Sequence, residues 1–137
     1  GWLHDDLATL LAGQAYIRFE PRGQYIGTEP YSKWTKPSCV LIGEDNYSDA
    51  SGFPYVYKTL GIGKLIGAPV PGTMTAVWWE NIGQYTFGIP QVGTKDNRGN
   101  YLENQQLEPD IECYVTPEDM LRGVDTQIQA AVKELMK

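Results

Sequence analysis

Two short apolar runs, joined by a segment with helical character, constrain the fold more than any other feature of the sequence. Ser38–Ile42 leads into a polar turn at residues 43–49, and Lys64–Gly67 is the second run. Short apolar runs without alternation are typical of strands buried on both faces, as in parallel sheets. A strand, a helix and a second parallel strand form a β-α-β crossover. The sequence therefore predicts an α/β fold.

Pro54 limits where the connecting helix can begin, because proline is tolerated in the first helical turn and disrupts a helix interior. If Ser51 is the N-cap, Pro54 occupies the third helical position. If Ser48 is the N-cap, Pro54 occupies the sixth position and breaks the helix. We therefore expect Ser51 to cap the helix and Ser48 to lie in the preceding turn.

The rest of the chain is consistent with a single domain spanning residues 1–137. Pro21–Pro37 lacks periodicity and predicts a long loop. The other predicted elements are an N-terminal helix ending at Gly13, a half-buried strand at 16–19, strands at 75–79 and 85–89, a turn at 96–100, and two C-terminal helices, the first capped by Thr116, separated by Gly123.

Charge and composition exclude several classes of partner. The net charge is −6, from 17 acidic and 11 basic residues, so the electrostatic field of the chain repels the phosphates of nucleic acid. No apolar run approaches the roughly 20 residues that span a bilayer, so no transmembrane segment is expected. Cys39 and Cys113 are far apart and His4 is the one histidine, which leaves no recognisable metal site and no expected cofactor.

Ser48 is the candidate nucleophile. It ends a strand-to-helix turn. Open α/β sheets bind ligands at such turns, and the backbone N–H groups there can stabilise an oxyanion. A serine in a polar turn is usually only a turn residue, however, and the G-x-S-x-G motif of the α/β-hydrolases is absent. The local pattern alone favours the turn-residue interpretation.

A wider set of motifs favours the catalytic interpretation. Ser48-Asp49 opens the turn within Asn46–Tyr55, and Gly67 closes an L-I-G run nineteen positions after Ser48. Pro71–Thr75 follows, and Glu103–Asp110 reads E-N-x-x-x-x-P-D. In this order the motifs resemble the C-terminal part of the catalytic domain of the tricorn-like, C-terminal processing (tail-specific) serine peptidases.

The resemblance implies a Clp protease/crotonase-like core with a β-α-β crossover, additional strands and two C-terminal helices. It implies that Ser48 attacks a peptide carbonyl of a peptide or protein substrate. Gly1-Trp2-Leu3 resembles the end of the family's N-G-G-G turn, so the oxyanion donors would be the backbone N–H of Asp49 and a glycine N–H of the turn that Gly1 terminates. The family's supporting glutamate corresponds to Glu103.

The general base is where the sequence departs from the family. The tail-specific branch has a lysine where this chain has Thr73, and Lys64 lies at the start of a strand on the far side of the crossover. The tricorn branch has a histidine upstream of the N-G-G-G turn, whereas His4 follows it and is expected to be a polar residue at a helix N-terminus. We therefore expect an incomplete catalytic unit, inactive alone, that contacts a missing N-terminal part or forms a homo-oligomer. The resemblance also implies an extracytoplasmic location.

Two other function classes remain open. The four Trp and nine Tyr would suit a non-catalytic module that binds peptides or carbohydrates, with Tyr31 and Trp34 of the long loop as a substrate wall. A pseudo-enzyme with the same fold is the other alternative.

Overall fold

Three small sheets and four helices make up the computed structural model, which describes residues 1–137. The helices are α1 His4–Ala12, α2 Asp49–Thr59, α3 Pro117–Leu121 and α4 Thr126–Leu135, with a 3-10 turn at Pro21–Gly23. The strands are β1 Ile17–Phe19, β2 Gly27–Glu29, β3 Cys39–Ile42, β4 Lys64–Gly67, β5 Ala76–Ile82, β6 Tyr85–Val92 and β7 Ile111–Glu112. None of the helices is long and apolar enough to cross a membrane.

A parallel sheet of order β3-β4-β7 carries the core. Cys39 lies opposite Lys64 and Ile42 opposite Gly67, and α2 connects these two strands, so the predicted β-α-β crossover is confirmed. β7, which the sequence did not predict, adds to the other edge of β4. α4 packs against β3 and β4, and α1 packs against α2.

The core is a cluster of Ile42, Tyr57, Leu65 and Val70 at the junction of the parallel sheet and α2. Tyr57 is fully buried, and its hydroxyl lies 2.8 Å from Ser38 Oγ, which satisfies the polar end of an otherwise apolar side chain. Burial of these side chains fixes α2 on the sheet, and with it the turn from which α2 starts.

The start of α2 differs from the prediction. The helix begins at Asp49, so Pro54 occupies its sixth position, and Ser51 is a buried helical residue rather than the N-cap. A proline at this position cannot donate to the carbonyl of Ala50, four residues earlier. Asn46 Nδ2 donates to Ala50 O instead, at 2.7 Å. The turn thus supplies the donor that Pro54 lacks, which allows the helix to begin at Asp49.

The strands outside the parallel sheet form two separate two-stranded antiparallel ribbons, β1 with β2 and β5 with β6. The strand at Ile17–Phe19 is exposed rather than half-buried, because its one partner is β2, which lies inside the predicted long loop. β5 and β6 are longer than predicted and form an antiparallel hairpin. The predicted turn at 96–100 is present, with the Asp96 N–H donating to Asn100 O. Thr116 caps α3 by accepting from the Asp119 N–H, as predicted.

Replacement of Asn46 tests the account of the α2 start. Asn46→Ala leaves the Gly43 N–H without its acceptor Oδ1 and the Ala50 carbonyl without its donor Nδ2. We expect the free energy of unfolding to fall by about 1–2 kcal/mol, measured by urea denaturation. The control is Asn97→Ala, an exposed asparagine without a side-chain hydrogen bond, expected to change stability by less than about 0.5 kcal/mol. Equal, small effects of both substitutions would contradict the account.

Candidate functional site

Ser48 lies in a strained turn between β3 and α2. Its backbone has φ 56° and ψ −118°, a positive φ that non-glycine residues rarely adopt. The turn is held by Asn46, whose Oδ1 accepts the Gly43 N–H at 2.9 Å, and Ser48 O accepts the N–H groups of Ser51 and Gly52. The Ser48 side chain makes no capping bond and the residue is exposed. Strain of this kind, imposed by the surroundings, is found at functional sites.

A free backbone donor lies next to Ser48. Asp49 is the first residue of α2, and its N–H donates to no acceptor within the chain, whereas the Ala50 and Ser51 N–H groups donate to Tyr47 O and Ser48 O. The first N–H groups of a helix lack intrahelical partners and carry the positive end of its dipole. The Asp49 N–H is therefore available to an anion that forms beside Ser48.

The Asp49 side chain connects this turn to the start of the chain. Its Oδ2 accepts the Leu3 N–H at 3.0 Å, and its Oδ1 lies 2.5 Å from His4 Nδ1. Partial burial opposes ionisation, but the hydrogen bonds from His4 and Leu3 prevail and hold the pKa of Asp49 below its ordinary value. His4 is the first residue of α1, as expected for a polar residue at a helix N-terminus, but it also has this partner, which the sequence did not predict.

Two adjoining clefts open at this point, and both include Gly1, Trp2, Ser48 and Asp49 in their walls. The smaller, of about 200 Å³, also contains His4. The larger, of about 680 Å³, has mainly apolar walls. Its apolar side chains are Trp2, Leu3, Leu7, Tyr47, Ala50, Phe53, Ala76, Val77 and Trp79. The larger cleft therefore offers an apolar surface to a ligand that reaches Ser48.

Glu103 shapes the clefts indirectly. Its Oε2 accepts the N–H groups of Met74 and Thr75, each at 2.7 Å, and Thr75 lines both clefts while Glu103 lines neither. Burial opposes ionisation of Glu103, but the hydrogen bonds from Thr75 and Met74 outweigh it and lower the pKa. The carboxylate thus fixes the loop that follows β4, which forms one side of the site.

The structure brings together some of the predicted site residues and separates others. Ser48, Asp49 and Gly1 meet at the clefts, and Glu103 acts on their wall through Thr75. Tyr31 and Trp34 line neither cleft, in contrast to the substrate wall predicted for them. The Trp34 N–H donates to Leu10 O, which ties the loop to α1, and Tyr31 is 87% exposed.

Three of the aromatic residues at the clefts were missed because they belong to separate segments: Trp2 precedes α1, Phe53 lies in α2 and Trp79 in β5. The one available signal was the alternation of β5, which places neighbouring Trp78 and Trp79 on opposite faces. Deciding which face meets Ser48 requires the tertiary structure.

No lysine lines either cleft. Lys64 begins β4 and lies beside Cys39, at the amino-terminal end of the two parallel strands. Ser48 follows the opposite, carboxyl-terminal end of β3. Thr73, where the sequence resemblance would place a lysine, lines the larger cleft. His4 lines the smaller cleft, with Nδ1 engaged by Asp49.

Comparison with known proteins relates this geometry to a family. The model of peptidase family S41 matches residues 9–113. A protein of Chlamydia pneumoniae is 30% identical over 135 residues, which cover 92% of this chain and 20% of that protein. The tricorn protease of Thermoplasma acidophilum is 27% identical over 120 residues, which cover 85% of this chain and 11% of that protein. The chain spans 10–20% of the length of the curated relatives it matches.

Solved structures share the fold. The crystal structure of the tricorn protease matches with a TM-score of 0.82 at 25% identity, over 97% of this chain and 13% of that chain. The structure of mature CPAF complexed with lactacystin matches with a TM-score of 0.66 at 26% identity, over 82% of this chain and 22% of that chain. The expected Clp/crotonase-like α/β core is confirmed. Since the family match covers most of the sequence, the chain belongs to peptidase family S41 and is similar to its tricorn-like serine peptidases.

Proposed function

We propose that this chain carries the nucleophile of a serine endopeptidase of the tricorn-like, C-terminal processing type, and that Ser48 is that nucleophile. The observation that carries the proposal is the combination at one turn of an exposed serine with a strained backbone and an adjacent backbone N–H without an acceptor. Family membership adds the reaction type, which is peptide hydrolysis.

The proposed first step forms a bond between Ser48 Oγ and the carbonyl carbon of the scissile peptide. The hydroxyl proton passes to a general base, and the carbonyl oxygen becomes an oxyanion. The Asp49 N–H and an N–H of the turn that Gly1 terminates stabilise this charge. The oxyanion then collapses, the scissile C–N bond breaks as the base delivers the proton to the leaving amine, and water hydrolyses the acyl-enzyme. Glu103 supports the site by keeping Met74 and Thr75 in place.

We further propose that residues 1–137 are the C-terminal part of a larger catalytic unit that supplies the base. Lys64 is remote, Thr73 cannot replace a lysine, and the one histidine, His4, is bonded to Asp49 and makes no hydrogen bond to Ser48. The surface supports the proposal. The chain exposes 10,071 Å², whereas a compact monomer of 15.3 kDa exposes about 7,100 Å². Contact with an N-terminal part, or with further copies of the chain, would cover this excess.

The β5–β6 hairpin exposes seven large apolar side chains, among them Trp78, which is 58% exposed, and Trp79, which is 69% exposed. Large exposed apolar surfaces mark sites of interaction with other proteins. For the location of the protein we propose the extracytoplasmic compartment, which rests on family resemblance alone.

A non-catalytic peptide-binding domain is the second candidate function. The observation that favours it is the mainly apolar larger cleft beside Ser48, whose hydroxyl makes no hydrogen bond to a side chain that could act as its base. Chemical reactivity of Ser48 separates the two candidates, because binding alone does not require an activated hydroxyl.

Fluorophosphonate labelling tests the assignment of Ser48. In the natural polypeptide that contains this sequence, we expect the probe to bond to Ser48 with loss of fluoride, detected by mass spectrometry of the labelled peptide. Ser48→Ala should abolish labelling. Ser51→Ala is the matched control, because Ser51 lies three residues further on but is buried, with its hydroxyl donating to Asn46 O.

Labelling that persists in Ser48→Ala would contradict the assignment, and absence of labelling in the unaltered polypeptide would favour the binding domain. The 137-residue chain alone should not hydrolyse peptides above the level of its Ser48→Ala variant. Hydrolysis by this chain that Ser48→Ala abolishes would overturn the proposal that it is incomplete.

The pH dependence of stability tests the role of Glu103. Its pKa is lower in the folded chain, so its carboxylate stabilises the fold at neutral pH. This contribution is lost as the pH falls from about 4.3, the ordinary pKa of glutamate, through the lower folded value. We expect Glu103→Gln to reduce the free energy of unfolding at pH 7 by about 1 kcal/mol and to flatten its decline in acid, measured by urea denaturation at several pH values.

Glu80→Gln is the control for this measurement, because Glu80 is exposed and its side chain makes neither a hydrogen bond nor an ion pair. An acid dependence in Glu103→Gln as steep as in the unaltered chain would show that the bonds to Met74 and Thr75 do not stabilise the loop.

A further inference from the structure

The Asp49 side chain makes contacts that its proposed backbone role does not require. Its carboxylate accepts the Leu3 N–H at Oδ2 and meets His4 Nδ1 at Oδ1. Gly1 lies so close that a Cβ there would be 3.0 Å from Oδ2. We call this set, the Asp49 carboxylate with the Leu3 N–H and the His4 imidazole, the Asp49 clamp. It joins two segments that lie 46 positions apart in the sequence.

Those two segments carry the two proposed oxyanion donors. One is the N–H of Asp49 itself, and the other is the backbone N–H proposed at Gly1, which lies against the Asp49 carboxylate. Gly1 and Trp2 make no backbone hydrogen bonds within the chain, so the bonds of Leu3 and His4 to Asp49 are the polar contacts that hold these first residues beside the Ser48 turn. An oxyanion site requires its donors to be in place before charge develops, at about 2.7–3.1 Å from the oxygen.

We propose that the Asp49 side chain and His4 are positioning residues that hold the two halves of the oxyanion site in register. This inference rests on the proposed function, because it presumes that an oxyanion forms beside Ser48. One residue then has two roles: its backbone N–H contacts the oxyanion, and its carboxylate holds the segment that supplies the second donor.

The chemistry of the clamp assigns the role of His4. An ionised carboxylate only accepts hydrogen bonds. His4 Nδ1 therefore carries a hydrogen and donates a hydrogen bond to Asp49 Oδ1. The Trp2 ring meets the imidazole edge to face, with centroids 5.7 Å apart. His4 therefore lies between the carboxylate and Trp2, an aromatic residue in the walls of both clefts, and links the donors to the cleft wall.

The test measures the second-order rate constant of fluorophosphonate labelling at Ser48 in the natural polypeptide that contains this sequence. Asp49→Ala should lower the rate by about tenfold to a hundredfold, because a displacement of roughly 1 Å at a reacting centre costs up to about a hundredfold. His4→Ala should lower it by a smaller factor. His4→Asn should restore most of the loss, since the asparagine amide can donate to Asp49 Oδ1 as the imidazole does.

Asp110→Ala is the matched control. Asp110 also accepts one backbone N–H, from Leu65 at 2.8 Å, and pairs with a cation, Lys58 at 3.5 Å, but Leu65 lies inside β4 in the core. It should lower the thermal midpoint and leave the labelling rate within twofold at a temperature where every variant is folded.

The outcomes separate the two proposals. Absence of a Ser48 adduct in the unaltered polypeptide overturns the proposed function and the clamp with it. If Asp49→Ala is labelled at Ser48 at the same rate as the unaltered polypeptide, the clamp is overturned and the proposed function stands. If Asp49→Ala does not fold, the His4 pair decides: a loss in His4→Ala that His4→Asn restores supports the clamp, and an unchanged rate in His4→Ala overturns it.

Discussion

The close parallel pairing of β3 and β4 is the constraint on which the rest of the structure depends. At its end, Gly67 has φ 137°, and a Cβ there would lie 2.0 Å from Ile42 O, so only glycine fits. The same carbonyl accepts the Ala68 N–H at 3.1 Å. This contact fixes where the chain leaves β3 and enters the turn at 43–48. Tyr57 and Leu65, fully buried, then hold α2 against the sheet.

The site itself is assembled by two carboxylates that bind backbone N–H groups. Asp49 binds the segment before α1, and Glu103 binds the loop after β4. Both segments lie beside Ser48, and neither belongs to the parallel sheet. Bonds from N–H groups to an ionised acceptor are stronger than those between neutral groups, which suits segments with little regular structure of their own. Both residues have a lowered pKa for this reason.

The crossover could be predicted from the sequence because apolar runs and glycines are local signals. Ser48 could be placed in the turn, but the start of α2 could not, since the rule against an internal proline was overridden by Asn46, a side chain outside the helix. Tyr31 and Trp34 show a second limit. Aromatic composition marks surfaces that can bind ligands, but which loop meets the nucleophile depends on long-range packing. His4 shows a third, because its partner lies 45 positions away.

The most direct measurement of the central claim is a crystal structure of the natural polypeptide that contains this sequence, soaked with a peptidyl boronic acid, whose tetrahedral adduct resembles the intermediate of peptide hydrolysis. The account predicts a bond from Ser48 Oγ to boron, with one boron-bound oxygen about 2.7–3.1 Å from the Asp49 backbone nitrogen. A boronate bonded to another residue, or a Ser48 adduct whose oxygens all lie beyond hydrogen-bond reach of that nitrogen, would contradict it.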